Sequence, residues 1–372
     1  MAKSILVLGN SDSGLYDFRK EVLTALMEEG YSVHVSVPDT GYLEKIKALG
    51  CVCHETVMER RGMNPAKDLK LFSFYMRLLK QVKPSAVLTY TIKPNIYGCM
   101  ACRIQKVPYL VNITGLGTAL EGGGMLQKML VFMYRTSIKK AGCVFFQNRA
   151  NKAFMLEKGC ILPGAKTRII PGSGVNLQQY EPKPYPPKEP VRFVTLIRIM
   201  KAKGIDELLT AAEIIHQEYP DTVFELLGAY EKEERDIYEP RIQDLQSRGI
   251  VQYYGYRDDV PDFYAHSQAV VHPTYSEGMS NVLLEAAATG RPAIASNIDG
   301  IKEICEDGVT GFLFKAKDAD SMVNAIRAFL STPYESRASM GRKARAFVEE
   351  NFDRRQVVAA YLEEIRELTD GN

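Results

Sequence analysis

Several features that define other protein classes are absent from this sequence of 372 residues. No apolar run approaches the roughly 20 residues that a membrane-spanning helix needs, and the run at residues 4–8 is too short for a secretory signal. Internal repeats and low-complexity segments are also missing. These absences predict an ordinary globular protein of the cytoplasm and exclude an integral membrane protein.

Metal-binding patterns are scarce as well. The five histidines are scattered, and the cysteine pairs at 51–53 and 99–102 are not followed by another close pair. Because a structural zinc site needs four such ligands, we expect buried, reduced thiols. Asp318 and Asp320 resemble an acidic metal motif, but they precede an apolar-periodic segment and are better explained as a helix cap. The sequence therefore predicts no metal and no cofactor.

Acidic residues are scarce in the first half of the chain only. Residues 1–185 contain 25 Lys and Arg but 13 Asp and Glu, whereas the remainder contains 22 and 32. A basic half in a chain of small net charge points to an anionic partner. A membrane surface or a lipid diphosphate is favoured over nucleic acid, because no nucleic-acid-binding motif is present.

Short apolar runs that predict buried strands alternate with helical segments along the whole chain. This alternation is typical of an α/β protein with doubly wound parallel sheets. Prolines crowd residues 181–190 and predict an extended connector. We therefore expect one domain over residues 1–180 and another over 191–352. The predicted strands are 5–8, 32–37, 52–54, 86–90, 109–112, 143–147, 191–196, 222–227, 251–254 and 269–272.

One stretch organises the second domain. An apolar strand ends at His272, and a helix rich in Ala and Leu is predicted from near Ser280 to Thr289. The backbone N–H groups at such a helix start suit a phosphate. Glu277 precedes the helix and Glu285 lies in its second turn, so two carboxylates flank the anion site and would bind hydroxyl groups on either side. The alternative is that Ser280 only caps the helix and that both glutamates are solvated.

Two cations leave the first strand of the same domain. Arg198 and Lys203 follow the strand at 191–196, and ligands of a parallel sheet bind at the carboxyl ends of its strands. Together they would neutralise a diphosphate leaving group without a metal ion.

The first domain has weaker candidates for the same chemistry. Residues 9–14 form a predicted turn between the first strand and the first helix, but the glycine pattern of dinucleotide-binding proteins is absent. Gly14 would still let a donor phosphate approach the backbone. Lys93 follows the strand at 86–90 and is either a phosphate or acceptor ligand or a solvated charge at a helix start.

Two segments of this domain mix bulky apolar residues with cations. One runs from Arg60 and Arg61 to Lys80, and the other covers Leu126 to Lys140. Either could lie on an anionic membrane surface. A core helix with a charged outer face is the commoner case for each segment taken alone, but the charge asymmetry favours a membrane-facing role for one of them.

The two glutamates separated by seven residues resemble the pair that marks family 4 of the retaining GT-B glycosyltransferases. The resemblance extends through residues 286–296 and 307–313 and to the Arg198–Lys203 block, and residues 15–19, 91–95 and 113–117 look like members that act on polyprenol-diphosphate sugars. It implies two facing Rossmann-like domains with an interdomain cleft. It also implies that the last helix, within residues 353–372, returns to the first domain.

The same resemblance implies roles for individual residues. Arg198, Lys203 and Glu277 would be catalytic, with Glu277 holding donor-sugar hydroxyls and Glu285 holding the ribose. The remaining implied donor contacts are Gly14, Met279, Ser280, Asn281 and Val282, and the implied acceptor contacts are Tyr16, Arg19, Lys93, Thr114 and Gly115.

The implied activity is that of a metal-independent hexosyltransferase at the cytoplasmic face of the cell membrane. It would move a sugar, such as GalNAc, from a UDP-sugar to a polyprenol-diphosphate-linked saccharide in surface glycan or capsule biosynthesis. The alternatives are a non-catalytic subunit that binds nucleotide-sugars and a non-hydrolysing UDP-sugar epimerase.

Overall fold

The computed structural model describes residues 3–58, 64–117, 120 and 122–370. The chain divides into two compact units. Unit 1 comprises Met1–Ser173 and Arg355–Asn372, and unit 2 comprises Gly174–Arg354. Arg60 and Arg61, which begin one of the two basic segments, lie outside the described residues.

Unit 1 is built on a sheet of seven parallel strands in the order β3-β2-β1-β4-β5-β6-β7. Its strands are β1 Ser4–Leu8, β2 Ser32–Val37, β3 Val52–Glu55, β4 Ala86–Tyr90, β5 Tyr109–Ile113, β6 Cys143–Phe146 and β7 Thr167–Ile169. Its helices are α1 Asp12–Glu28, α2 Leu43–Ala48, α3 Pro65–Val82, α4 Cys99–Gln105, α5 Gly124–Ser137 and α6 Arg149–Glu157, with a π-helical turn at Pro94–Gly98.

Unit 2 is built on a sheet of six parallel strands in the order β10-β9-β8-β11-β12-β13. Its strands are β8 Val191–Leu196, β9 Thr222–Leu227, β10 Val251–Gly255, β11 Ala269–His272, β12 Ala293–Ser296 and β13 Gly311–Phe314. Its helices are α7 Ile205–Glu218, α8 Arg235–Ser247, α9 Val260–His266, α10 Asn281–Ala288, α11 Ala319–Ser331 and α12 Tyr334–Asn351, and a 3₁₀ turn lies at Lys201–Lys203. The last helix is α13, Arg354–Asp370.

Each sheet is covered on both faces. In β1, Leu6 and Leu8 belong to the hydrophobic cluster formed with α3, α4 and α5, whereas Ile5 and Val7 belong to the cluster formed with α1 and α13. Successive side chains of a strand point to opposite faces, so a strand in the middle of the sheet is apolar at nearly every position. This is why short runs rich in apolar residues correctly predicted β2, β4, β8, β9 and β11 with their observed limits.

Local hydrogen bonds shift one predicted boundary. Helix α1 begins at Asp12, because the Ser11 hydroxyl caps it by accepting a hydrogen bond from Gly14 N at 3.1 Å. Gly14 therefore lies in the first turn of a helix, and the prediction of a turn over residues 9–14 was wrong in its second half. The Asp318 side chain caps α11 through Ser321 N, as the sequence predicted.

The proline-rich residues 181–190 pack within unit 2. The buried guanidinium of Arg291 donates hydrogen bonds to the carbonyl oxygens of Lys183 and Pro184, and the Tyr185 hydroxyl donates to Gln268 O. A segment that prolines keep extended cannot satisfy its carbonyls internally, so a buried arginine with several donors does so. Burial lowers the pKa of Arg291 to about 10.

Helix α13 belongs to unit 1. Its apolar residues Val357, Ala360, Tyr361 and Ile365 are buried in the same cluster as α1. The Tyr361 hydroxyl donates to Asn112 Oδ1 at 2.5 Å. The ion pairs Lys166–Glu364 and Lys3–Asp370 also join α13 to the rest of unit 1.

Candidate functional site

The topology of unit 2 places two loops side by side. Strands β8 and β11 are neighbours in the sheet although α7, β9, α8, β10 and α9 separate them in sequence. Such a switch point opens a crevice at the carboxyl ends of the strands, where α/β proteins bind ligands. Residues 197–204 follow β8 and residues 273–280 follow β11, so both predicted donor-binding stretches meet there.

Lys203 and Glu277 are in direct contact at this crevice. Lys203 Nζ lies 2.5 Å from Glu277 Oε1 and donates to Thr274 Oγ1 at 3.2 Å. Each charged side chain is one-fifth exposed, so the pair can reach a ligand from its edge. Two residues separated by 74 positions in sequence thus form one charged group.

The carboxyl group of Glu277 stays ionised. Its burial by itself would raise the pKa, but the His272 imidazole, whose Nε2 lies 3.6 Å from Oε1, and the Lys203 ammonium more than offset this and lower the pKa to about 2. Glu277 is therefore a hydrogen-bond acceptor, and not a proton donor, at neutral pH.

His272 is a site residue that the sequence predicts only as the end of a strand. Its side chain is 3% exposed, and Nε2 lies 3.1 Å from Ser280 Oγ in addition to its contact with Glu277. His272 thus joins the residue that caps α10 to the carboxylate beside it. The only signal in the sequence was its position at the carboxyl end of a buried strand, where polar side chains tend to be functional.

The start of α10 differs slightly from the prediction. Ser280 is the N-cap residue and accepts a hydrogen bond from Leu283 N at 3.3 Å, so the first helical residue is Asn281 and Met279 lies before the helix. Ser280 does cap the helix, as the alternative interpretation held. The amides of Asn281 and Val282 have no acceptor inside the helix.

Glu285 lies one turn further along α10. The hydroxyl of the buried Tyr264 donates to Glu285 Oε2 and to Val282 O, both at 3.2 Å. Tyr264 therefore orients this carboxylate from α9. Glu285 has a protein partner, in contrast to the solvated position of the alternative interpretation.

Arg198 is the exposed member of the set. Its Nη1 donates to Glu231 Oε2 at 2.8 Å, and its side chain is 54% exposed. The structure thus brings Lys203 and Glu277 together but pairs Arg198 with an acid from the loop after β9. An exposed ion pair of this kind is weak, so the guanidinium can exchange Glu231 for another anion at low cost.

Two glycines allow the loops to approach closely. Gly204 has a φ of +74°, and a Cβ atom there would lie 2.1 Å from Pro273 O. Gly300 has a φ of +79°, and a Cβ atom there would lie 2.6 Å from Gly278 O. Only glycine fits both the left-handed conformation and these distances.

The candidates on helix α1 of unit 1 differ in how far they are exposed to solvent. The N–H group of Gly14 is bonded to the Ser11 side chain. Tyr16 is partly exposed, with its ring near Tyr42 and near the ammonium groups of two lysines. Arg19 is 4% exposed and lies over the Tyr90 ring.

The candidates after β4 and β5 also differ in exposure: the one after β4 is buried in an ion pair, and those after β5 are partly exposed. Lys93 Nζ is paired with Asp68 Oδ1 of α3 at 2.9 Å, and both side chains are largely buried. This pair neutralises the ammonium and joins the β4 loop to α3. Thr114 and Gly115 are partly exposed directly after β5, and a Cβ atom added to Gly115 would meet no other group within 4 Å.

The cysteines have the predicted character. All seven are free, and six are buried. Burial raises the pKa of the Cys51 and Cys99 thiols to about 12.

Within the described ranges, no three His, Cys, Asp or Glu side chains are grouped as metal ligands would be. No helix in those ranges is both long and apolar enough to cross a membrane.

Two protein-family models match the chain, one in each half. The model described as "Glycosyl transferase 4-like" matches residues 4–148, and the model described as "Glycosyl transferases group 1" matches residues 178–347. The second match contains the whole crevice between β8 and β11.

Curated relatives match over most of the chain. The N,N'-diacetylbacillosaminyl-diphospho-undecaprenol α-1,3-N-acetylgalactosaminyltransferase of Campylobacter jejuni is 25% identical, over 87% of this chain and 88% of its own length. The UDP-Gal:α-D-GlcNAc-diphosphoundecaprenol α-1,3-galactosyltransferase of Escherichia coli is 29% identical, over 72% of this chain and 71% of its own length.

Solved structures share the fold. Anabaena HepE, crystallised with UDP and glucose, aligns with a TM-score of 0.80 at 17% identity, over 98% of this chain and 100% of its own. The two sheets, the two family matches and the named relatives all indicate the same family and fold. The chain belongs to the family 4 glycosyltransferases of the GT-B fold and is a sugar-transferring enzyme of glycan biosynthesis.

Proposed function

We propose that this enzyme transfers a sugar, such as GalNAc, from a UDP-sugar to a saccharide linked to a polyprenol diphosphate, with retention of configuration at the anomeric carbon. The names of the Campylobacter and Escherichia relatives support this donor and acceptor class. The observation that carries the proposal is the contact of Lys203 with Glu277 at the carboxyl ends of β8 and β11.

The donor diphosphate is recognised by positive charge and N–H groups. Lys203 and the exposed Arg198 lie on the loop after β8, and the amides of Asn281 and Val282 open α10. Negative charge develops on the diphosphate as the sugar departs, and fixed cations and amides stabilise that charge in the transition state. These groups replace a metal ion, so we expect transfer to be metal-independent.

The two glutamates recognise the neutral parts of the donor. Glu277 remains ionised through neutral pH and accepts hydrogen bonds from the sugar hydroxyls. Glu285, oriented by Tyr264, accepts them from the ribose. No side-chain nucleophile is required, because the leaving phosphate oxygen takes the proton from the attacking acceptor hydroxyl on the face that the diphosphate leaves.

The proposed acceptor is an anionic lipid at a membrane surface, so the part of the enzyme that binds it should be basic. Unit 1 contains 26 Lys and Arg against 16 Asp and Glu, whereas unit 2 contains 21 and 29. A cationic unit attracts a lipid-linked diphosphate and the anionic leaflet that contains it. We therefore assign the acceptor to unit 1 and place the enzyme at the cytoplasmic face of the cell membrane.

The test is a transfer assay with purified protein. UDP-GalNAc, UDP-GlcNAc, UDP-Gal and UDP-Glc are each incubated with a short-chain polyprenol-diphosphate disaccharide in EDTA, and the anomeric configuration of the product is read by NMR. We expect an α-linked product with one donor. Lys203→Ala and Arg198→Ala should each lower kcat by about 10²–10³, the usual effect of removing one group that stabilises transition-state charge.

Arg248→Ala is the matched control, because Arg248 is an exposed arginine of unit 2 that pairs with Glu213 and Asp244 away from the crevice. Its activity should equal that of the wild type. Equal activity of Lys203→Ala, a β-linked product or loss of transfer in EDTA would contradict the mechanism. UDP binding without any product would favour a non-catalytic subunit, and interconversion of UDP-sugars without acceptor would favour an epimerase.

A further inference from the structure

Helix α5 exposes large apolar side chains along one stripe. Met125 is 87% exposed, Met129 is 39% exposed and Phe132 is 66% exposed. The spacing of four and three residues places all three on the same face of the helix. The opposite face, with Leu130 and Tyr134, is buried in the core of unit 1. The helix is therefore apolar both where it packs and where it faces outward, and we call Met125, Met129 and Phe132 the outer stripe.

Positive charge borders the outer stripe. Lys128 and Arg135 lie on the helix beside it, and Lys139 and Lys140 follow its end, all of them exposed. None of these four forms an ion pair with any other residue that the structure describes. Residues 122–156 contain no Asp or Glu at all, so no carboxylate of this segment offsets the four cations.

Helix α3, the other basic segment, has a different outer face. Its apolar side chains Leu71, Tyr75, Leu78 and Leu79 are buried in the core. Among its large apolar residues only Leu69 is mostly exposed, and Lys70, Ser73, Arg77 and Lys80 are exposed beside it. Helix α3 is thus a core helix with a charged surface, and burial distinguishes it from α5 although the two sequences look alike.

We propose that the outer stripe of α5 docks the enzyme on an anionic lipid bilayer. Met125, Met129 and Phe132 insert among the acyl chains, and Lys128, Arg135, Lys139 and Lys140 reach the lipid phosphates with their long, flexible side chains. A protein partner would need carboxylates placed opposite each cation, whereas an anionic leaflet supplies negative charge wherever the helix lies. The inference rests on the proposed function only for why the enzyme needs a bilayer.

The experiment is sedimentation with vesicles of phosphatidylcholine and phosphatidylglycerol in a 3:1 ratio, and with vesicles of phosphatidylcholine alone. The wild type should bind the mixed vesicles and lose most of that binding at high salt. The variant Met125→Ser/Met129→Ser/Phe132→Ser should bind at least tenfold more weakly. Lys128→Gln/Arg135→Gln should weaken binding to the mixed vesicles by about fivefold or more per charge, the effect of a cation near an anionic surface.

Leu69→Ser is the control, since Leu69 is an apolar residue on α3 with nearly the same exposed fraction as Phe132. It should bind vesicles like the wild type. Far-UV circular dichroism and the melting temperature establish that each variant is folded. Unchanged vesicle binding by the triple variant, or equal loss in Leu69→Ser, overturns the proposal.

Two further measurements distinguish membrane docking from dimer formation and from the proposed transfer activity. Sedimentation velocity tests whether the outer stripe instead joins two copies of the chain; a wild-type dimer that the triple variant dissociates, with no vesicle binding, overturns the membrane assignment. Transfer to a water-soluble short-chain acceptor should be unaffected in the triple variant, whereas transfer to a long-chain acceptor in vesicles should fall. Vesicle binding without any transfer activity would contradict only the proposed function.

Discussion

At the scale of single residues, the crevice depends on groups that are far apart in sequence. Glu277 is ionised because Lys203 and His272 lie beside it, and Glu285 is oriented by Tyr264. Removing Lys203 would therefore change the charge of the crevice and the position of Glu277 together. The effects of substitutions at Lys203 and Glu277 should therefore not be additive.

Gly204 offers a test of this close approach. Gly204→Ala must adopt a left-handed φ, at a cost of roughly 1–2 kcal/mol, and must also move Pro273 O, which would lie 2.1 Å from the new Cβ atom. We expect the free energy of unfolding to fall by several kcal/mol by this combination of strain and overlap and the rate of transfer to fall at least tenfold. Urea unfolding followed by far-UV circular dichroism suits this chain, which has no tryptophan.

Gly249→Ala is the control for that experiment. Gly249 has nearly the same φ, +75°, but a Cβ atom there would have nothing within 4 Å. This variant should show the conformational cost alone and retain full transfer activity. If Gly204→Ala proved no worse than Gly249→Ala, the loops would not depend on their close contact.

At the scale of secondary-structure elements, periodicity alone did not distinguish α3 from α5. Both carry bulky apolar residues and cations at helical spacing. Burial decides their roles, because most of the large apolar residues of α3 are enclosed, whereas α5 has the outer stripe left over after its core face is filled. A helix that exposes a stripe of this kind commonly has a partner.

Helix α13 provides the second element-scale prediction. Tyr361→Phe removes the hydrogen bond to Asn112 Oδ1 in the core of unit 1 and leaves a buried acceptor without its donor. We expect a loss of about 1–3 kcal/mol in the free energy of unfolding, measured in urea by circular dichroism. The packing of the ring against Phe145 is retained, so the effect reports the hydroxyl group.

Tyr31→Phe removes a hydrogen bond between the residue before β2 and the same helix. The Tyr31 hydroxyl lies 3.0 Å from Thr369 Oγ1 at the partly exposed end of α13. Because water can replace this partner, the loss should be well under 1 kcal/mol. Equal effects of the two variants would contradict the assignment of Tyr361 as the buried anchor of α13.

At the scale of the whole molecule, each unit has its own sheet, its own pair of hydrophobic clusters and its own charge. The proposed donor ligands Lys203, Glu277 and Glu285 all lie in unit 2. UDP alone should therefore protect a defined part of the chain.

Hydrogen exchange with mass spectrometry checks this expectation. At about 100 times its Kd, UDP should stabilise the form that binds it by about 2.7 kcal/mol. Amides of residues 198–204 and 273–285 should exchange more slowly, and those of α3 and α5 should exchange at their former rates. Protection confined to unit 1 would place the nucleotide elsewhere and would contradict the proposed donor site.

The sequence by itself determined the class of fold and most of the strands, because a buried parallel strand is apolar at most positions and leaves a pattern that short windows detect. The same windows missed three strands: β7, an edge strand of three residues that is only partly buried, and β12 and β13, which have four residues each. Spacing and charge also identified Lys203, Glu277 and Glu285 as candidates, since these residue types stand where strands end or a helix begins.

Only the tertiary structure decided which of these candidates meet. Contact between the loops after β8 and β11 depends on the order of strands in the sheet, which no local pattern encodes. The same holds for Arg198 pairing with Glu231, for Lys93 being neutralised by Asp68 and for the exposure of the outer stripe of α5 among the described residues. Each of these outcomes depends on what packs against a side chain, and that is a property of the folded chain as a whole.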